Sequence, residues 1–165
     1  MRKLIRRAYA AAVNKTFRIA PLPTEVANSA RRVAAAGQPN HKTVVADSPD
    51  ACPCRHCLRW ADPGETMILF PYQSIPANRP YAESGPIFVH QEPCGRYREV
   101  ETYPAAFRDG RVVRGYNARS EIVAAELPNG EVESVLETML ANPEISFLHV
   151  RSVTHGCFTM KVERA

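Results

Sequence analysis

No apolar run in this chain approaches the roughly 18 residues that a membrane-spanning helix needs, and the greasiest stretch near the start is broken by arginines. A transmembrane helix is therefore not expected. The familiar catalytic signatures are missing as well. There is no Gly-x-Ser-x-Gly elbow, no His-Glu-x-x-His pair and no phosphate-binding glycine loop, so the common hydrolase, metalloprotease and nucleotide-binding classes lose support. Internal repeats and low-complexity segments are absent too. Acidic residues are scarce at one end only: residues 1–42 set nine Lys/Arg against the single Glu25, a net +8, while residues 43–165 carry twelve against sixteen, a net −4. A nucleic-acid binder would spread its basic residues over the folded elements, so the core is not expected to bind DNA or RNA.

What is present suits one soluble globular domain. The length of 165 residues leaves little room for two full cores, and the 45% hydrophobic and 23% charged fractions fit neither a disordered nor a fibrous chain. Residues 1–16 read as a basic N-terminal arm and residues 17–165 as a single domain. Within the arm, Leu4, Ile5, Ala8, Tyr9, Ala12 and Val13 recur at helical spacing, opposite Arg2, Lys3, Arg6 and Arg7. A short amphipathic helix is expected there, either packed at the terminus or docked on an acidic partner or anionic surface. Its apolar centre is too short and too rich in arginine for a secretory signal.

The remaining pattern mixes strands and helices without strict alternation. Strands are expected over 17–22, 42–46, 66–72, 86–90, 111–116, 121–127, 147–153 and 157–163. One helix follows Thr24, placed as its N-cap, and ends near Gly37. A second carries Val132, Val135, Leu136, Met139 and Leu140 on one stripe and stops at Asn142-Pro143. The final two strands form a hairpin, so the fold class is α+β: a mainly antiparallel sheet with two principal helices and the short N-terminal one. Parity favours a three-residue turn at Thr154, His155 and Gly156, pairing Leu148 with Val162, Val150 with Met160 and Ser152 with Phe158. That register puts His149 and Cys157 on one face but roughly 13 Å apart, too far for a direct catalytic couple.

The segments PCRHCLRWADPGE (Pro53 to Glu65), YAESGPIFVHQEPC (Tyr81 to Cys94) and LHVRSVTHGCFTMKVER (Leu148 to Arg164) give the chain its likeness to a known group. In these it resembles a bacterial family known only as domain of unknown function 1203. The resemblance runs from about Phe17 to the C-terminus and leaves the basic arm outside. It implies a small, stand-alone, cytoplasmic bacterial protein, and it brings no activity, cofactor or catalytic residue with it.

The cysteines and histidines carry the sharpest chemical signal. Cys54-Arg55-His56-Cys57 has the two-residue gap that lets two sulfurs face one metal, and His90-x-x-x-Cys94 offers an imidazole and a third thiolate. Zinc held by Cys54, Cys57, His90 and Cys94 is the first hypothesis, giving a metal-binding structural or binding domain. Cys52 is a competing thiol, the glycine usual beside a zinc knuckle is absent, and an iron–sulfur cluster on four cysteines ranks lower. Unliganded thiols and redox or nucleophilic work remain open. An odd number of cysteines argues against a disulfide framework and for a reducing compartment. A second class is a small-molecule enzyme that grips an anionic ligand through Arg55, Arg114, His149 and Cys157, since a guanidinium can clasp a carboxylate or phosphate with two parallel bonds. A third is an adaptor working through its basic arm.

Overall fold

The computed structural model describes residues 16–165; the amphipathic helix expected over residues 1–14 lies outside them. The elements run β1 (Phe17–Ala20), α1 (Thr24–Ala35), β2 (Lys42–Val45), β3 (Thr66–Ile75), β4 (Glu83–His90), β5 (Arg111–Tyr116), β6 (Ile122–Glu126), α2 (Val132–Ala141), β7 (Phe147–Ser152) and β8 (Phe158–Arg164), with a short 3-10 turn at Ala105–Phe107. The strands make two antiparallel sheets, one of five in the order β1-β8-β7-β5-β6 and one of three in the order β2-β3-β4. This is a single α+β domain.

Each sheet has its own helix and its own core. On α2 the expected stripe is buried through Val132, Leu136, Met139 and Leu140, packed with Leu148, Val150, Met160 and Val162 of the hairpin. Each such side chain contributes about 1.5–3 kcal/mol on burial, which is why this helix is legible from spacing alone. Gly115 lets β5 approach that layer, because a Cβ there would sit 2.6 Å from Ile145 Cδ1. The second core lies beside α1, where Ala27 and Ala30 join one buried cluster with Met67, Ile68, Ile87 and Val89 of β3 and β4. An ion pair between Arg151 of β7 and Glu83 of β4 links the two sheets.

Three expectations shift. Both β3 and β4 run further than their apolar centres, to Ile75 and back to Glu83, with Pro71 facing Pro86 beyond the end of β2. Two prolines opposite each other suit a pair that exchanges no ladder bond, so their missing N–H groups cost little there. Thr24 is not the N-cap of α1: Pro23 holds that position, and the Thr24 hydroxyl is hydrogen-bonded to His56 Nε2 at 3.0 Å. In the hairpin, Leu148 faces Val162 and Val150 faces Met160 as expected, but the register then slips so that Arg151, not Ser152, faces Phe158. Thr159 is the extra residue of this bulge. Gly156 takes the left-handed conformation expected of it, with φ 67°. The bulge turns Phe158 away from the α2 side and onto the face of His149, whose ring it meets edge-on at 4.9 Å.

Candidate metal centre

The segment from Cys52 to Ala61 folds back on itself as a knuckle. Leu58 N–H donates to Cys54 O at 3.1 Å, Cys54 N–H to Arg59 O at 2.9 Å, and Ala61 N–H to Cys52 O at 3.0 Å. Such a turn needs one residue in the left-handed region just after the second cysteine. Leu58 occupies it with φ 55°, at a cost of about 1–2 kcal/mol for a residue bearing a Cβ. Burial of its side chain in the α2 core offsets that strain. The absent glycine was therefore no argument against a knuckle.

Two neighbours fix the knuckle in place. Arg55 N–H donates to Phe88 O of β4 at 3.0 Å, and Tyr97 N–H, beyond Cys94, donates to His56 O at 3.0 Å. His90, the last residue of β4, and Cys94, four residues on, are thereby carried to Cys54 and Cys57. One ligand atom from each of Cys54, Cys57, His90 and Cys94 lies within 4.8 Å of all the others. The sulfurs of Cys54 and Cys94 are 3.9 Å apart, and Cys57 Sγ is 3.6 Å from His90 Nδ1. A tetrahedral zinc site with bonds of about 2.3 Å to sulfur and about 2.0 Å to nitrogen has edges of about 3.8 Å between sulfurs and about 3.5 Å between sulfur and nitrogen. The group is thus close to the size of a shared ion.

Surrounding side chains orient the four. His90 turns Nε2 to Glu65 at 3.3 Å, leaving Nδ1 for the cluster, and Glu65 is itself held by Arg59 at 2.7 and 2.8 Å and by the Asp62 N–H at 2.7 Å. A carboxylate behind a histidine in this way sets its tautomer and strengthens it as a ligand. Arg59 is also the main reason the Glu65 carboxyl is drawn down to about 2. On the other side, His56 Nδ1 is 3.2 Å from Cys94 Sγ, and the Arg31 guanidinium donates to the same sulfur at 3.7 Å and to His90 O at 3.0 Å. Burial keeps His56 below its usual pKa; a neutral ring can donate Nδ1–H to the sulfur while Nε2 accepts from Thr24. His56 is a hydrogen-bonding neighbour of the cluster and not a fourth or fifth ligand.

Charge is already concentrated at the cluster. Hydrogen bonds from Cys57 and then Cys94 hold the Cys54 thiol well below the ordinary thiol range, while the same bond to Cys54 pushes Cys57 up. Burial opposes a charge on His90, but hydrogen bonds to Cys54 and Cys94 outweigh it and lift the ring to about 10. A divalent cation would displace any proton held on His90 Nδ1 and on the three thiols. Cys52 stands apart in the α1 core, its thiol pushed up chiefly by burial. All five cysteines are free.

The residues considered for an anionic ligand separate into two places. Arg55 and Cys157 line one cavity of about 560 Å³ between the knuckle and the hairpin turn. Arg114 and His149 are cross-strand partners on β5 and β7, and His149 lines a different cavity beside Tyr72 and Lys161. Sequence reasoning overlooked Glu65, Arg31 and His56 as supports of the cluster, and Arg111 in the larger cavity. Nothing in their local pattern marks them, because each acquires its role from a segment distant in the chain. Among the described residues, no helix is long and apolar enough to cross a membrane.

A family model described as protein of unknown function (DUF1203) matches residues 51–164. No curated protein and no solved structure matches the chain.

Proposed function

The chain belongs to the DUF1203 family, and we propose that it is a zinc-binding protein in which Cys54, Cys57, His90 and Cys94 hold one structural zinc ion. The convergence of four ligand atoms from three separate segments within 4.8 Å carries this reading. Three soft thiolates with one imidazole favour zinc over calcium, magnesium or manganese, and four ligand atoms within 4.8 Å of one another suit a single ion better than a cluster of several irons. Four protein ligands leave no open position, which is the pattern of a structural rather than a catalytic zinc. Three thiolates and a divalent ion leave one net negative charge, and the Arg31 guanidinium at Cys94 offsets it.

The role follows from what the ligands join. The knuckle, the end of β4 and the loop carrying Cys94 are three segments that one ion would tie together, so ligation free energy would add to the folding free energy of this part of the chain. The thiols must stay reduced to bind, which suits a cytoplasmic setting. Full-length protein made with zinc present and purified without chelator is expected to carry about one zinc per chain by elemental analysis. Cys54→Ser should lower both that content and the melting temperature. Substoichiometric metal in well-folded protein would overturn the proposal.

A further inference from the structure

The cavity between the knuckle and the hairpin turn holds two buried cations with no anion bonded to either. Arg55 is 3% exposed and Arg111 is 9% exposed. Arg55 spends its Nε on Phe158 O at 2.8 Å and its Nη1 on Pro53 O, and its Nη2 has no hydrogen bond among the described residues. The Arg111 side chain makes no hydrogen bond or ion pair among them, and its Nε is fully enclosed without a partner. Its guanidinium instead lies over the rings of Phe107, at 5.0 Å, and Trp60, at 5.7 Å. Burying an arginine without a carboxylate is costly, and two on one cavity repel each other as well.

We infer that this cavity is a binding site for a small organic anion, one carboxylate or phosphate on a flat apolar body, with Arg55 and Arg111 gripping the oxyanion. The free Nη2 of Arg55 and the unpartnered Arg111 guanidinium supply donors for the oxygens. Trp60, Phe88 and Leu69 supply the apolar wall for the body, and about 560 Å³ is within the usual range for a small-molecule site. Asp50 and Asp109 also line the cavity, but both are exposed and neither is paired with an arginine, so solvent weakens their field at the buried guanidinium groups. Metal binding and this site are separable: Cys54 faces the cluster, while Arg55, the next residue, faces the cavity.

The chain reports on the site without a label, since Trp60 is its only tryptophan. Purified full-length protein is titrated with phenyl phosphate, benzoate, inorganic phosphate and the neutral benzyl alcohol while Trp60 fluorescence is followed. At least one aromatic anion is expected to give a saturable change with affinity about tenfold or more above that for benzyl alcohol or inorganic phosphate. The phenyl phosphate and benzoate arms decide which oxyanion the pair prefers. Arg111→Met should weaken binding about tenfold, whereas Arg114→Met, outside the cavity, should leave it unchanged. Because Arg111→Met removes two ring contacts and can unfold the protein, a second readout uses the wild type. Cys157 lines the same cavity, so saturating phenyl phosphate or benzoate should slow its alkylation by iodoacetamide, followed by peptide mass spectrometry. No saturable response, an equal response to benzyl alcohol, or inorganic phosphate binding as tightly as either aromatic anion would overturn the inference.

Discussion

His149→Phe should remove a definable part of this protein's sensitivity to acid. The His149 ring is 2% exposed, its Nδ1 has no hydrogen-bond partner, and the rings of Tyr116, Phe147 and Phe158 stand at 4.9 to 5.2 Å. Cations face it from every strand around it: Arg151 on β7, Lys161 on β8 and Arg114 on β5. Burial first, and then these charges, hold the imidazole down to about 3. A base whose folded pKa lies below its unfolded value of about 6.5 contributes stability that is complete above 6.5 and is lost as pH falls from 6.5 towards 3. The slope in that window is about 1.4 kcal/mol per pH unit, so the loss reaches about 2 kcal/mol at pH 5. For a chain of this size that is about 4–8 °C of melting temperature.

Phenylalanine keeps the shape of the site, cannot titrate, and removes the orphan nitrogen. Thermal melts by circular dichroism at pH 8 and pH 5 should therefore show the wild type falling about 4–8 °C further than the variant between the two values. Any loss of metal at the lower pH is common to both proteins and cancels in the comparison, and His149→Leu provides the same test if phenylalanine packs poorly. An equal fall in wild type and variants would refute both the neutral, buried state of the ring and the cost of charging it. It would also reopen a proton-transfer role for His149, which the present geometry gives no reason to assign.

Other consequences can be measured. Glu65→Gln keeps an acceptor for His90 Nε2 but loses the charge and the Arg59 pair; zinc affinity by chelator competition should fall about tenfold, and an unchanged value would show that the carboxylate does not support the ligand. Glu83→Ala leaves the Arg151 guanidinium, 2% exposed, with its counter-charge removed. Since Glu83 itself is one-third exposed, the loss should fall below that of a fully buried pair, at about 2–3 kcal/mol or about 4–12 °C, and a shift below about 2 °C would show that water replaces the carboxylate.

The sequence alone determined most of what depends on local spacing. The α2 stripe, the glycine after α1, the α+β class and the hairpin register away from its turn all follow from side-chain periodicity and turn chemistry, which act within a dozen residues. So did the four candidate ligands, because a two-residue gap and a three-residue gap restrict which side chains can share an ion. Their convergence across 32 intervening residues was not legible, and it rests on backbone bonds from Arg55 to Phe88 and from Tyr97 to His56. Tertiary structure also decided that Leu58 replaces a glycine, because only packing against the α2 core makes its strained backbone tolerable. It moved Phe158 across the sheet through one bulged residue, a change to which the alternating apolar pattern is blind since both faces are buried. It separated Arg55 from Arg114 and brought Arg111 beside Trp60 instead. Pairings of that kind depend on how two sheets meet, and no spacing within either one encodes them.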